Sequence, residues 1–294
     1  MVTFYRRLPS FDYIKPKTLK EALALLSGKN KGKAKVFAGG TDLFPKLKRR
    51  EVKAPGVLVD LKGIPGLDYI KYDGKNGLRF GPLTTIGAIE SSPVVQEKFR
   101  VLAEAAQSMA SPQVRNRGTI VGNICNAVPS ADSAAALLAL GAKLKLVSSK
   151  GKRTVKIEDF FTGPNKTILS DGEILREVQV PPLPANSKGV YLKLSPRRAM
   201  DLAIVGVAVV VIPKDGFCKD IRVALGAASP TSIRVKKAED ILRGQKFGDD
   251  LIDKVAQISS EEARPIDDHR ASADYRRAMV KVLVSRGIKE ALRS

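Results

Sequence analysis

The 294-residue sequence has few of the residues that bind metals or stack on nucleic-acid bases. It contains two cysteines, Cys125 and Cys218, one histidine, His269, and no tryptophan, and aromatic residues make up only 5% of the chain. The cysteines lie far apart, and neither belongs to a CxxC pair. We therefore do not expect this chain to hold its own zinc site or iron–sulfur cluster.

Long apolar runs are also missing. The first residues, MVTFYRRLPSFDYIKP, are interrupted by charges and proline, and no stretch approaches the roughly 18 apolar residues of a membrane span. Hydrophobic residues make up 44% of the chain, which is enough to fill two or three modest subdomains. The sequence predicts a folded, soluble protein, which we place in the cytoplasm.

Acidic residues are under-represented: 30 Asp and Glu stand against 51 Lys and Arg, a formal net charge of +21. The basic residues are spread over several stretches, at 29–35, 46–53, 149–153 and 233–237, without interleaved aromatic residues that could stack on bases. This distribution favours a solvated face. Attraction to an acidic protein partner is the second interpretation, and binding to nucleic acid is the third.

The N-terminal section alternates helix and strand signals. Residues 18–28 have Thr18 as a cap, Glu21 three residues later and apolar residues at helical spacing, which predicts a short amphipathic helix. Strands are predicted at 34–40 and 56–61. This alternation is typical of a small α/β unit.

Two boundaries divide the rest of the chain, one near Gly63 and one at the proline-rich segment 180–189. We predict an N-terminal α/β subdomain over 1–62, a second subdomain over 63–179, and a C-terminal α+β domain over 180–294. The C-terminal domain is expected to contain helices and a three-stranded sheet, with its strands at 189–195, 202–213 and 220–229.

The segment VFAGGTDL places two glycines where a buried strand ends. Gly39 and Gly40 lack a Cβ, so an anion could approach the backbone N–H groups, and Thr41 and Asp42 could bind its neighbours. Taken alone, the segment favours a strand-ending turn with an aspartate cap. It matches neither GxGxxG nor a P-loop, so a second site is needed to indicate a ligand.

A second glycine-containing segment is RGTIVGNICNAVPSAD. Gly118, Gly122, Asn123 and Asn126 offer open backbone and uncharged amide donors, which suit a diphosphate and a ribityl chain better than a metal. A structural turn could use the same residues. If both segments are loops that bind ligand, we expect them to face one elongated ligand between them.

These motifs resemble those of the FAD-binding medium subunit of the molybdenum hydroxylases, the family that includes xanthine dehydrogenase and aerobic carbon monoxide dehydrogenase. FAGGTDL is followed by PQVRNRGTIVGNICNAVPSADSAAALLALGA, in the order found in that family. The resemblance continues through ILSDGEILREVQVP, YLKLSPRRAMDLAIVGVAVV and DDHRASADYRRAMVKVLVSRGIKEAL, so it covers essentially the whole chain.

The resemblance implies an α+β fold of the para-cresol methylhydroxylase type, in which two α/β subdomains clasp FAD and a C-terminal α+β domain follows. It implies an oxidoreductase subunit that passes electrons from iron–sulfur clusters through FAD to an external acceptor. The molybdopterin cofactor and the [2Fe–2S] clusters would belong to a large and a small partner subunit, in a dimer of heterotrimers. No catalytic residue and no metal ligand are expected in this chain.

The resemblance also implies which residues would bind the cofactor. Those expected at the diphosphate are Ala38, Gly39, Gly40, Thr41 and Asp42, with Thr119, Gly122 and Asn123 from the second segment. Those expected at the sugar hydroxyls, the flavin or the adenine are Asn126, Asp132, Leu169, Tyr191 and Lys193. Lys193 would place a positive charge near the flavin, and Tyr191, on the same strand face, is a candidate for covering the ring.

Several of these residues have a structural alternative. Asp132 could cap a helix that begins at Ser133, with or without binding a ligand. Leu169 and Tyr191 could be core residues, and Lys193 could be solvated on an edge strand.

The sequence departs from the family pattern at Val121, which stands where relatives usually have glycine, as in TIGGN. Because a β-branched residue disfavours positive φ, we expect the second segment to approach the diphosphate less closely. Arg197, Arg198 and Asp201 are expected to form a surface salt-bridge group or to meet a partner. Two other functions stay open: a self-contained flavin oxidoreductase, and a basic binding protein that has lost its flavin.

Overall fold

A small parallel sheet forms the N-terminal part of the computed structural model, which describes residues 7–197 and 200–293. Its strand order is β1-β3-β2. The elements are β1 (Asp12–Ile14), α1 (Leu19–Leu26), β2 (Ala34–Phe37), α2 (Leu43–Arg49) and β3 (Val57–Asp60). The predicted cap of α1 is confirmed, because the Thr18 hydroxyl accepts a hydrogen bond from the Glu21 N–H at 3.2 Å. Leu23 and Leu26 pack against Val59 of the sheet.

A five-stranded antiparallel sheet follows, in the order β4-β5-β10-β6-β7. Its strands are β4 (Ile70–Asp73), β5 (Gly77–Phe80), β6 (Lys143–Ser148), β7 (Gly151–Lys156) and β10 (Ile174–Val180), and a separate hairpin is formed by β8 (Phe161–Gly163) and β9 (Lys166–Thr167). The helices are α3 (Ile86–Ser91), α4 (Pro93–Lys98), α5 (Arg100–Gln107), α6 (Pro112–Arg115), α7 (Ile120–Asn126) and α8 (Asp132–Ala139). Every residue of α8 is buried.

The described residues of the C-terminal part form a further sheet and three helices. Its elements are β11 (Lys188–Leu194), β12 (Val205–Lys214), β13 (Phe217–Gly226), β14 (Ile233–Arg234), α9 (Lys236–Leu242), α10 (Asp249–Glu262) and α11 (Ala273–Arg293). Side chains alternate across β12, so Val207 and Val209 enter the core under α11, whereas Ala208 and Val210 enter the core that contains α8. Burial on both faces explains the valine-rich sequence of this strand.

The predicted three-stranded sheet has a fourth strand, β14, in the structure. The two residues of β14 are too few to produce a recognisable alternation, and they lie in a stretch that was predicted to be a solvated basic face. Arg234 in fact donates a hydrogen bond to Glu158, which lies in the second predicted subdomain, at 2.8 Å. It also forms an ion pair with the buried Glu239. The short strand is therefore held by ion pairs as well as by pairing with β13.

No described helix could cross a bilayer: even α11, with 21 residues, carries charged side chains along its whole length.

Ion pairs join α11 to the segment before it. Arg276, which is fully buried, donates to Asp268 at 2.7 Å and to the carbonyl oxygen of Ala227 at 3.1 Å, and Arg270 donates to the same carboxylate at 2.6 Å. The Arg270 hydrogen bond and the charges of both guanidinium groups hold the pKa of Asp268 well below its ordinary value. Asp268 therefore stabilises the folded chain only while it is ionised.

We expect part of the folding stability to be lost in acid because of Asp268. A carboxyl with a depressed pKa contributes fully above its unfolded pKa of about 4, and the contribution falls as pH drops towards the folded pKa. Urea midpoints measured at pH 7, 4 and 3 should fall less between pH 4 and 3 in Asp268→Asn than in the wild type. An equal fall of the urea midpoint between pH 4 and 3 in the two proteins would contradict this assignment.

Candidate functional site

A cavity of about 730 Å³ lies between the first two predicted subdomains, and residues 200–202 also line it. Its volume is within the range typical of ligand-binding sites. The wall is formed mainly by residues 34–46, 109–132 and 165–175. Most of the predicted cofactor-binding residues lie on this wall: Ala38, Gly39, Gly40, Thr41, Asp42, Thr119, Gly122, Asn123, Asn126, Asp132 and Leu169.

Gly39 brings the two glycine-containing segments into direct contact. A Cβ on Gly39 would lie 2.1 Å from the carbonyl oxygen of Arg117 and 2.9 Å from the Cα of Gly118. A Cβ on Gly118 would in turn lie 3.1 Å from the Thr41 hydroxyl oxygen. The bare backbone is therefore needed for packing between the segments, and this packing builds a continuous cavity wall.

Gly40 turns the chain between β2 and α2. Its φ is +75°, a left-handed conformation that favours glycine, and an added Cβ would lie 2.4 Å from the Phe37 ring. The predicted turn is present, but the predicted aspartate cap is wrong, because the Asp42 side chain makes no capping hydrogen bond to α2. Asp42 lines the cavity.

The central part of the second segment is helix α7, Ile120–Asn126, and not the predicted open loop. Thr119 caps α7 and accepts a hydrogen bond from the Gly122 N–H at 2.9 Å, so that N–H already has a partner. Val121 is 4% exposed, packs in the main core and does not have a positive φ. The positive φ on which the expected effect of Val121 depended is absent, because Val121 lies in a helix. How closely the segment approaches a diphosphate stays a prediction.

A polar cluster on the cavity wall joins three elements. Lys46 of α2 donates to the side-chain oxygen of Asn126 in α7 at 2.6 Å and to that of Asn165, in the β8–β9 turn, at 3.2 Å. The Asn126 Nδ2 atom is buried without a protein partner. Desolvation at the wall raises the pKa of Asp42, and the nearby Lys46 ammonium opposes that shift.

Sequence reasoning missed two members of this cluster. Lys46 was included in a stretch interpreted as a solvated face, and Asn165 was not considered. One signal was present: Lys46 lies four residues after Asp42, and residues at this spacing share a helix face.

Asp132 is held by two side chains from β11. Its carboxylate accepts hydrogen bonds from the Tyr191 hydroxyl at 2.6 Å and from the Lys193 ammonium at 2.9 Å. Burial raises the pKa of Asp132, and the Lys193 charge and the Tyr191 hydroxyl oppose that shift. The capping alternative was wrong, because α8 begins at Asp132 itself and its side chain does not cap the helix.

Tyr191 and Lys193 lie behind Asp132 and not on the cavity wall. Their positions two residues apart place both side chains on one face of β11, as predicted, and Gly206 leaves room for the Tyr191 hydroxyl. Burial raises the pKa of Tyr191 well above 10, and the Asp132 charge adds to the shift. Lys193 also donates to the Ser108 carbonyl at 2.9 Å, so the alternative of a solvated edge-strand lysine was wrong.

Leu169 and the predicted surface salt-bridge group are the remaining predicted residues. Leu169 lines the cavity and also packs against the main core. Arg197 and Asp201 form the predicted ion pair at 3.0 Å, and Asp201 lies on the wall. Arg198 lies outside the described residues.

The chemistry of this wall fits a dinucleotide with a diphosphate. The cavity volume is sufficient for an extended ligand, a buried amide nitrogen lacks a partner, and a lysine lies beside it. Asp132 supplies an oriented acceptor suited to sugar hydroxyls. Leu169 and Ile86 add apolar surface to the same wall.

Both parts of the chain match known family models. Residues 9–183 match the FAD binding domain in molybdopterin dehydrogenase, and residues 190–291 match the CO dehydrogenase flavoprotein C-terminal domain. The glyceraldehyde dehydrogenase medium chain of Sulfolobus acidocaldarius is 38% identical over 282 residues, 96% of this chain and 98% of the relative. The carbon monoxide dehydrogenase medium chain of Hydrogenophaga pseudoflava is 36% identical, over 96% and 97%.

Solved structures agree with these matches. A chain of carbon monoxide dehydrogenase from Hydrogenophaga pseudoflava superposes with a TM-score of 0.94 at 37% identity, over 98% of this chain and 99% of that one. A chain of quinoline 2-oxidoreductase from Pseudomonas putida 86 gives a TM-score of 0.90 at 30% identity, over 98% of both. The fold and the cavity together define an FAD-binding oxidoreductase subunit. The chain belongs to the molybdenum hydroxylase family, as an FAD-binding medium subunit.

Proposed function

We propose that this chain accepts electrons from the [2Fe–2S] clusters of a small partner subunit and passes them through FAD to an external acceptor. Substrate oxidation would take place in a molybdopterin-binding large subunit. The observation that carries the proposal is the arrangement of the family motifs around one cavity, in a chain that matches medium chains of dehydrogenases along almost its whole length. Bound FAD supplies the chemistry, because it can take up electrons singly and deliver one or two.

The role of the protein is to bind and orient the cofactor. Residues 38–42 and the first turn of α7 would hold the diphosphate, and Asp132 would accept hydrogen bonds from sugar hydroxyls. Leu169 would cover an apolar face of a ring. Tyr191 and Lys193 would act through Asp132, which they fix in one orientation.

The three predicted units are also part of this proposal. The separation of the sheet β1–β3, the sheet of β4–β7 with β10, and the sheet β11–β14 supports a division into 1–62, 63–179 and 180–294, although β10 runs one residue past the second boundary, to Val180. The first two units together would clasp FAD.

The assembly with a large and a small subunit, as a dimer of heterotrimers, is likewise proposed. The relatives described above are medium chains, which supports this assembly. The net charge of +21 would favour docking to acidic surfaces. Charge reversal at Arg197 and Arg198 tests whether these residues contribute to docking. The cytoplasmic location stays a prediction.

The proposal is tested on the complex purified through a tag on this chain, with wild-type chain and with Gly40→Val. The wild-type complex should contain FAD, molybdenum and iron, and the variant should lack FAD only. Limiting dithionite should reduce the iron–sulfur clusters in both complexes. Transfer from the clusters to NAD, quinone or oxygen should fall at least about 100-fold in the flavin-free variant, because the connecting cofactor is missing.

Two results would contradict the proposal. A flavin-free variant that passes electrons to the same acceptor at the wild-type rate would remove FAD from the route. A purified wild-type chain that carries no FAD, no partner subunits and binds nucleic acid would favour the basic binding protein. Turnover of a small alcohol by the isolated chain would instead favour a self-contained flavin oxidoreductase.

A further inference from the structure

Lys46 places a positive charge on the cavity wall without a carboxylate partner. Its ammonium makes its hydrogen bonds to the amide oxygens of Asn126 and Asn165, and no ion pair involves it among residues 7–197 and 200–293. On the same wall, Asp132 and Asp201 are paired with other cations. The Asp42 carboxylate is near enough for the Lys46 charge to act on its pKa, but no hydrogen bond or ion pair joins the two described side chains. The Lys46 ammonium therefore keeps an N–H group that a ligand can use.

Three separate parts of the chain converge to hold this ammonium. Lys46 comes from α2, Asn126 from the last turn of α7, and Asn165 from the β8–β9 turn. Asn165 has a φ of +56°, and its N–H donates to the carbonyl oxygen of Ala127 at 2.8 Å, which fixes the turn against the end of α7. Contacts between residues distant in sequence thus fix the position of the ammonium. Lys46 is therefore not a freely moving surface side chain.

This cluster keeps hydrogen-bond donors free for a ligand. An ammonium has three N–H groups, and two are used; the Asn126 oxygen faces Lys46, which leaves the buried Nδ2 atom as an unpartnered donor. A site with a cation and spare N–H donors suits an anion. In FAD the group that is anionic at neutral pH is the diphosphate.

We propose that Lys46, oriented by Asn126 and Asn165, binds the diphosphate of the cofactor. This inference rests on the proposed function and adds a residue outside the glycine-containing segments to the cofactor site. It gives the wall a countercharge that the glycine segments, with their neutral backbone N–H groups, do not supply.

The test is FAD binding to the purified complex after its flavin has been removed, followed by flavin fluorescence at several salt concentrations. Lys46→Met should weaken FAD binding about 10- to 100-fold, since a charge-assisted hydrogen bond is lost. Lys46→Gln, which keeps a polar side chain without the charge, should show a similar loss. Affinity should also depend less on salt in both variants than in the wild type, because one charge contact is missing.

Lys48→Met provides a matched control, because it removes the same charge from the same helix at a position that does not line the cavity. Its FAD affinity should stay within about twofold of wild type. Wild-type affinity in both Lys46 variants would overturn the inference. A loss of affinity with unchanged salt dependence would also overturn it, because Lys46 would then only shape the wall. Failure of the wild-type complex to take up FAD would instead contradict the proposed function.

Discussion

Gly39→Val is expected to lower the affinity for FAD by at least about 100-fold, a free-energy change of about 2.7 kcal/mol. A Cβ at this position would lie 2.1 Å from the Arg117 carbonyl oxygen, and the atoms in its way are backbone atoms. Overpacking of this kind typically costs about 1–3 kcal/mol, and relieving it would move the two segments apart. Since both segments form the cavity wall, the ligand site would open.

The control for Gly39→Val is a glycine at which an added Cβ would contact no other atom. Gly74 has no heavy atom within 4 Å of an added Cβ and does not have a left-handed φ, so Gly74→Val should bind FAD like the wild type. Gly39→Ala should show most of the loss, because the clash is already complete at the Cβ atom. FAD titration gives the affinity, and urea midpoints report folding. Wild-type affinity in Gly39→Val would mean that contact between the segments does not shape the site.

The elements predicted correctly from the sequence are those with a local signal. Helix α1 has its cap, its apolar spacing and its terminating glycine within 18–28. Strand β12 was predicted at 202–213 from its run of apolar residues and is observed at Val205–Lys214. Strand β14 has only two residues, which is too few to give a local sequence signal. Ion pairs of Arg234 with Glu158 and Glu239 hold it in place.

Prediction of the candidate site was likewise limited to features with a local sequence signal. The glycine motifs identified both segments, but the glycine and asparagine residues around Val121 are weak helix formers and indicated a loop. Burial of Ile120, Val121 and Ile124 in the core outweighs that local preference. Lys46 was missed because its partners are 80 and 119 residues away in sequence, beyond the range of any local pattern.

Lys193→Met is expected to reduce the free energy of unfolding by about 3–5 kcal/mol. The side chains of Lys193 and Asp132 are only 9% and 8% exposed, so removing the ammonium leaves a buried carboxylate with the Tyr191 hydroxyl as its remaining side-chain partner. The change also weakens the contact between β11 and α8, because of the two side-chain hydrogen bonds from β11 to Asp132 only the one from Tyr191 remains. Urea unfolding of the flavin-free chain measures the effect.

An exposed pair provides the control for charge loss. Lys98 and Glu97 have side chains 41% and 71% exposed, so Lys98→Met should change stability by no more than about 1 kcal/mol. An equally small effect in Lys193→Met would contradict the assignment of a structural role to the buried pair.

The double variant Lys193→Met/Asp132→Asn separates folding from cofactor binding. It should recover much of the stability lost in Lys193→Met, because a neutral amide does not leave a charge buried. It should not recover FAD affinity, since the Asp132→Asn change replaces the carboxylate on the cavity wall by a weaker acceptor. Recovery of both properties would mean that Asp132 serves folding alone. Recovery of stability without affinity would mean that the C-terminal unit, through Lys193 and Tyr191, holds in place a carboxylate that the cofactor uses.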